Sequence, residues 1–385
     1  MPQSNLRFDA HCHVFGLEYL KIELPAIIRH LIRTKRITKI HLPSLMALIK
    51  PTDSHLHELW ELIQWIKEIL KAAAGTEETN INKVMDCAAK FLPGATRPNV
   101  RAITLMMDIF YMFDSALPQG ATLAQADKET LASEAPEVES LYQEIATFLH
   151  LKTPTNALTT KYDFVCSPGL AHQLAHLPGI PQTYPFLAVD PRRPGMVAEV
   201  CKGKLVSKNG PFYGIKIYPR LGYHPECAEL QPLYAFCNTN SLPITTHCGK
   251  IGFPIWHTSS EDWGHPQQFW GILQRFPNLR LNFAHFGLLR DNWDPAVFET
   301  MQKFANAYSD LACCTEKARL DFFHSQYYSH HEVRERTMFG TDFDVMFFTD
   351  LAVPMEKYYE NFTKAFTAQE LTILCSAVPQ RFLGF

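Results

Sequence analysis

Tyr213-Gly-Ile-Lys-Ile-Tyr218, Pro243-Ile-Thr-Thr246, Leu279-Arg-Leu-Asn-Phe-Ala284 and Ala307-Tyr-Ser-Asp-Leu311 are short runs rich in β-branched and aromatic residues. Runs of this kind, bounded by turn residues, predict strands. Working outward, Leu6–Ala10, Arg101–Met107 and Tyr184–Val189 precede them and Thr337–Gly340 follows, which makes eight. From Tyr184 onward the strand starts lie 29, 30, 36, 28 and 30 residues apart, the length of one strand–helix unit. The intervening segments carry helical spacing. Leu230, Leu233, Tyr234 and Cys237 share a face of Glu226–Thr239, and Phe269, Leu273 and Phe276 share a side of Pro266–Phe276. Eight strands alternating with helices predict an α/β protein, a (β/α)8 TIM barrel. A doubly wound sheet would bring a glycine-rich first turn, whereas His11-Cys12-His13 follows the first strand here.

The first two intervals are too long for one unit. Their excess predicts a helical insertion subdomain after strand 1, at 17–99, and a second insertion after strand 2, at 114–182, within a single barrel domain spanning 1–385. The first contains an amphipathic stretch, Leu56–Leu70, and a basic cluster of Arg33, Lys35, Arg36 and Lys39, read as a solvated helix face. In the second, the polar, alanine-rich stretch at 118–137 reads as a loop or lid.

Composition narrows the function classes. With 46% hydrophobic and 19% charged residues, the 385-residue chain has the material for a large core. Lys and Arg number 36 against 39 acids, so no electrostatic case exists for nucleic acid or an anionic membrane as partner. Met1–Phe8 has no signal-peptide character, and the most apolar run, Ala102–Phe113, is broken by Asp108 and too short to span a bilayer. The ten cysteines form no C-x-x-C pair and read as reduced, buried thiols of a cytoplasmic protein. Nothing near the vicinal Cys313-Cys314 pair supports a redox role. A small-molecule substrate is the expected partner, and a homo-oligomer is compatible with this composition.

In a barrel the site lies at the C-terminal ends of the strands. The first run leads into His11-Cys12-His13, whose two histidines, two apart on an extended chain, point to the same side and reach one ion. An isolated H-x-H is a weak signal. Here the fifth run ends in His247, the sixth in His285 and the eighth in Asp342. Imidazoles and a carboxylate thus stand at four strand ends, a set suited to a divalent ion such as zinc with an open position for water.

These strings, Asp9-x-His11-x-His13, Thr246-His247-Cys248-Gly249, Ala284-His285-Phe286-Gly287 and Gly340-Thr341-Asp342-Phe343, resemble the amidohydrolase superfamily. The nearest part is its amidohydrolase-related branch, which includes aminocarboxymuconate-semialdehyde decarboxylase, resorcylate decarboxylases and several lactonases. The resemblance also takes in Ala188-Val189-Asp190-Pro191, Gly214–Pro219, Trp270–Gly287 and Arg381–Gly384, and so spans residues 5–16 and 184–385. It implies His11, His13, His247 and Asp342 as metal ligands, Asp342 also as the group that manages the proton of an activated water, and His285 as acid, base or polariser. One divalent ion is implied, zinc first and manganese second. A second ion enters only if Lys216 is carboxylated; otherwise its ammonium pairs with Asp342 or a substrate anion. Arg220, in the loop after the fourth strand, suits a substrate carboxylate or an ordinary salt bridge equally. The loop residues His257, Glu261, Asp262 and Trp263 carry no firmer reading. Asp344 stands where the family commonly has proline.

The expected activity is metal-dependent hydrolysis of a small, carboxylate-bearing cyclic amide, ester or lactone. The alternative is non-oxidative decarboxylation of an aromatic or enoic acid, and a second alternative is a catalytically silent metal-binding barrel that acts as a binding module.

Overall fold

Each of the eight expected runs forms a parallel strand, and the strands pair in sequence order β1 to β8. In this computed structural model, residues 5–13, 19, 23, 26–27, 76–112, 114, 116–122, 163–164, 166–250, 252, 258–289, 292–343 and 354–385 are described. The strands are β1 Arg7–His13, β2 Val100–Leu105, β3 Thr183–Ala188, β4 Gly214–Ile217, β5 Pro243–Thr246, β6 Arg280–Phe283, β7 Ala307–Asp310 and β8 Thr337–Met338. The segment after β8 hydrogen-bonds back to β1, through Ala10 N to Phe339 O (2.9 Å) and His13 N to Phe343 O (3.2 Å), and closes the barrel. The amphipathic stretch Leu56–Leu70, the basic cluster, most of 118–137, His257 and Asp344 lie outside the described residues.

The connecting helices follow from their apolar stripes. Leu233, Tyr234 and Cys237 of the expected fourth-unit helix are buried, and the helix runs Gln231–Asn240 after a 3-10 turn. Within the expected first insertion, Glu77–Phe91 is a helix. Thr76 caps it by accepting from Thr79 N, and Ile81, Val84, Met85 and Ala88 are buried. It packs on β1, β2 and the helix Met355–Ala365, so this part of the segment is barrel wall. At the bottom of the barrel Phe8, Ala10, Ile103, Leu105, Phe186 and Met338 form an apolar plug with Val378, Phe382 and Leu383 of the C-terminal helix.

One irregularity aims the site. The β1–β2 register shifts between Asp9 and Cys12, a β-bulge. Phe8 and Ala10 belong to the interior plug, yet His11 and His13 also reach the interior while Cys12 joins the outer core. The extra residue re-aims the chain at the C-terminal end of the strand, a common use of bulges.

Candidate metal centre

His11, His13 and Asp342 converge. His11 Nε2 lies 3.3 Å from His13 Nε2, and Asp342 Oδ1 lies 3.1 Å from the first and 3.2 Å from the second. His13 Nδ1 is 2.9 Å from Leu105 O, which only accepts, so the ring carries its proton there and turns a lone pair inward. His11 Nδ1 is 2.9 Å from Asp310 Oδ2 and is oriented likewise. Two lone pairs and a carboxylate oxygen thus meet in a buried spot, and Asp342 Oδ1 has no hydrogen-bond partner among the described residues. With both rings neutral, such a meeting is repulsive until a cation or a proton enters it. Metal bonds of about 2.1 Å at angles near 100° put ligand atoms about 3.2 Å apart, so the three atoms fit a divalent ion.

The backbone that holds Asp342 is built for closeness. Its φ is +58°, a left-handed conformation that costs a non-glycine residue energy. Asp9 supports it: Oδ1 accepts from Thr341 N (3.1 Å) and Oδ2 from the Thr341 hydroxyl (2.7 Å), while Asp342 N donates to His11 O at 2.7 Å. A Cβ on Gly340 would stand 2.5 Å from His11 Cβ, which is why glycine opens the Gly-Thr-Asp string. Burial raises the Asp9 carboxyl to about 6 against the pull of those hydrogen bonds. On Asp342 burial pushes up, but His285 and the two β1 histidines outweigh it and hold the carboxyl well below the usual range.

His285 sits on an unusual turn. Residues 285 to 289 all have positive φ, at 68°, 46°, 66°, 63° and 49°. Gly287 is the position where a side chain would not fit, since its Cβ would meet Asp294 N at 2.8 Å. His285 N donates to Asp310 Oδ1 at 2.9 Å, and its ring lies 4.8 Å from that of His11. Burial lowers His285 and His13 to about 4, so both rings are neutral at pH 7. His11 goes the other way: burial opposes its charge, but Asp310 and Asp342 raise it.

His247, Lys216 and Arg220 lie near the triple, close enough for their charges to act on one another. His247 stacks on Tyr218 at 4.2 Å and places Nε2 3.1 Å from Gly249 O, outside the convergent triple. Burial, with the nearby charges of His285, Lys216 and Arg220, lowers it well below its ordinary value. Lys216 projects from β4, 2% exposed, and its Nζ has no hydrogen-bond partner among the described residues. Burial lowers it to about 8 against the opposing charges of Asp342 and Asp310. Arg220 is buried in the turn Pro219–Leu221, and Ser260 Oγ donates to its carbonyl. Trp263 packs edge-on against His224.

Three residues to which the motifs assign no role hold the site together. Asp310 at the end of β7 is the hub: it takes His11 Nδ1, Asn282 Nδ2 (2.7 Å), His285 N and Ala312 N. Asp9 and Cys313 are the others. The signal for Asp310 was present, since it too is a carboxylate at a predicted strand end.

The family model described as amidohydrolase matches residues 206–385, the stretch that carries His247, His285 and Asp342. The matched stretch is just under half of the chain. Among solved structures, the chain is similar to 5-carboxyvanillate decarboxylase from Novosphingobium aromaticivorans, complexed with manganese and 4-hydroxy-3-methoxy-5-nitrobenzoic acid. That match has TM-score 0.53 and 12% identity and covers 100% of this chain and 97% of that one. It is also similar to 5-carboxyvanillate decarboxylase from Sphingomonas paucimobilis (TM-score 0.51, 10% identity, 98% and 99% covered). A third is 2,6-dihydroxybenzoate decarboxylase complexed with 2,6-dihydroxybenzoate (TM-score 0.50, 12% identity, 99% of each chain covered). At such identities these likenesses establish the fold alone. No curated protein matches the chain. Among the described residues no helix is long and apolar enough to cross a membrane.

Proposed function

We propose that this protein catalyses metal-dependent, non-oxidative decarboxylation of a small aromatic acid. The alternative activity of the sequence reading is thereby preferred to hydrolysis. The observation that carries it is the ammonium of Lys216, buried and without a hydrogen-bond partner among the described residues, beside a narrow recess. Met106, Met107, Val189, Tyr218 and Tyr223 wall that recess together with Asp108, whose carboxylate is paired with Arg193 at 2.7 Å. A buried charge without a partner is costly, and a substrate carboxylate supplies the partner. Tyr218, already stacked on His247, offers a flat face to a ring. The full-length likeness to decarboxylases that hold hydroxylated benzoates supports the same substrate class.

His11, His13 and Asp342 would hold the ion, with manganese or zinc both compatible with two imidazoles and a carboxylate. When bound, a divalent ion would supply positive charge against the oxygens of the substrate and the charge that develops as the bond breaks. The bond between the ring carbon and the carboxylate carbon breaks, CO2 leaves, and the electron pair remains on the ring carbon, which takes a proton. Asp342 and His285 are the groups assigned to move that proton. Exclusion of water favours the step, because a carboxylate is more costly to desolvate than the delocalised charge that follows it.

Hydrolysis remains the second reading, favoured by the same three ligands, which equally suit activation of a water. A panel of hydroxybenzoates and of lactones separates the two. Decarboxylation predicts CO2 release and, in deuterated water, one deuterium on the vacated ring carbon. Lactone opening without CO2 release would overturn the proposal.

A further inference from the structure

Asp342 divides its two oxygens between different neighbours. Oδ1 faces His11 Nε2 and His13 Nε2, and it has no hydrogen-bond partner among the described residues. Oδ2 lies 2.8 Å from Cys313 Sγ. A carboxylate oxygen only accepts, so the thiol donates. Cys313 is buried in the turn after β7, and its φ of +59° is one that a residue with a side chain adopts at a cost. That turn is tied down: Thr315 N donates to Cys313 O at 2.9 Å and Cys314 N to Leu311 O at 3.1 Å. The Tyr358 hydroxyl reaches Leu311 O at 2.7 Å. The neighbouring Cys314 thiol turns to the His285 carbonyl, 3.6 Å away. The two adjacent thiols therefore serve different partners.

We propose that Cys313 is a positioning residue: its S–H···Oδ2 bond holds the Asp342 carboxylate so that Oδ1 alone is presented to a divalent ion. This inference rests on the metal reading of the site. A carboxylate free to rotate about its last bond would offer either oxygen, or both at once, and both at once would draw the ion away from the histidine pair. A neutral donor prevents this without adding a positive charge that would repel the ion. Outer partners of this kind orient ligands and set affinity. A serine hydroxyl reaches the same oxygen over a shorter bond, whereas alanine and glycine leave it without a donor.

The test is the affinity of the full-length chain for cobalt(II) and manganese(II), by competition with a chelator, in the wild type and in Cys313→Ser, Cys313→Ala and Cys313→Gly. Glycine relieves the left-handed strain and keeps the comparison valid where alanine fails to fold. The near-ultraviolet cobalt(II) spectrum reports separately on whether sulfur binds the ion. Alanine and glycine are expected to bind about 10- to 100-fold more weakly and serine within about threefold of the wild type, with no thiolate charge-transfer band in any of them. Alanine and glycine variants as tight as the wild type, or a serine variant as weak as alanine, would overturn the inference. So would a sulfur-to-cobalt band in the wild type, which would make Cys313 a ligand. A wild type that takes up neither ion removes the metal reading itself, and this inference with it.

Discussion

Replacing Asp310 with asparagine perturbs the metal centre without touching a ligand. Asp310 Oδ2 accepts from His11 Nδ1 (2.9 Å) and Asn282 Nδ2 (2.7 Å), and Oδ1 accepts from the backbone N–H groups of His285 (2.9 Å) and Ala312 (3.1 Å). An amide offers one oxygen and one NH2 group, so in either orientation two donors meet a donor. Hydrogen bonds to a charged acceptor contribute about 1.5–3 kcal/mol each, which sets the loss for the metal-free fold at about 3–6 kcal/mol before relaxation. At the site, His11 loses the carboxylate that fixes its tautomer and its angle. Loss of such a partner weakens metal binding by about 10- to 100-fold, or about 1.4–2.7 kcal/mol. The assay is chelator competition for manganese(II) on protein shown by circular dichroism to be folded, with thermal unfolding of the metal-free form alongside. A folded Asp310→Asn protein with wild-type affinity would refute the reasoning.

Lys216→Met removes a buried ammonium, so stability should hold or rise and metal content should be unchanged. The kcat/KM for a carboxylate substrate should fall about thirtyfold or more. A fall in metal content from two ions to one would instead mark Lys216 as a carboxylated bridge. Glu23 caps the helix Pro168–His176, accepting from the Ser167 hydroxyl (2.6 Å) and Gly169 N (2.7 Å), and burial raises its carboxyl to about 7. The folded state therefore resists ionisation that the unfolded chain undergoes near 4.5, and stability from this group falls as pH rises from about 4.5 to 7. Glu23→Gln should gain on the wild type by up to about 3 kcal/mol across that window, read as the difference in Tm at pH 5 and pH 8. Stripping the metal should lower Tm, since an ion at a thousand times its Kd stabilises the fold by about 4 kcal/mol.

The strand–helix rhythm from Tyr184 to Gly340 was legible because parallel strands buried on both faces read as short apolar runs, and barrel units recur at near-constant length. Strand ends were less exact: β1 continues to His13, through a bulge that no periodicity announces. His11, His13 and Asp342 were legible as candidate strand-end ligands, and their side chains converge. His247 shares the strand-end position, yet its ring is set by the stack on Tyr218, a contact made across the fold, and by the local Gly249 carbonyl. Asp310 and Cys313 escaped for the same reason. Their roles are defined by atoms 299 and 29 residues away, on β1 and after β8.

Metal stoichiometry tests the central claim most directly. Protein stripped by chelator, reconstituted with manganese(II) or zinc(II), freed of excess ion and analysed by mass spectrometry should hold one ion per chain. Because His13 Nε2 and Asp342 Oδ1 lie 3.2 Å apart in the convergent triple, His13→Ala and Asp342→Ala should hold none. A folded wild type without bound metal, or His13→Ala and Asp342→Ala proteins that bind as the wild type does, would contradict the account.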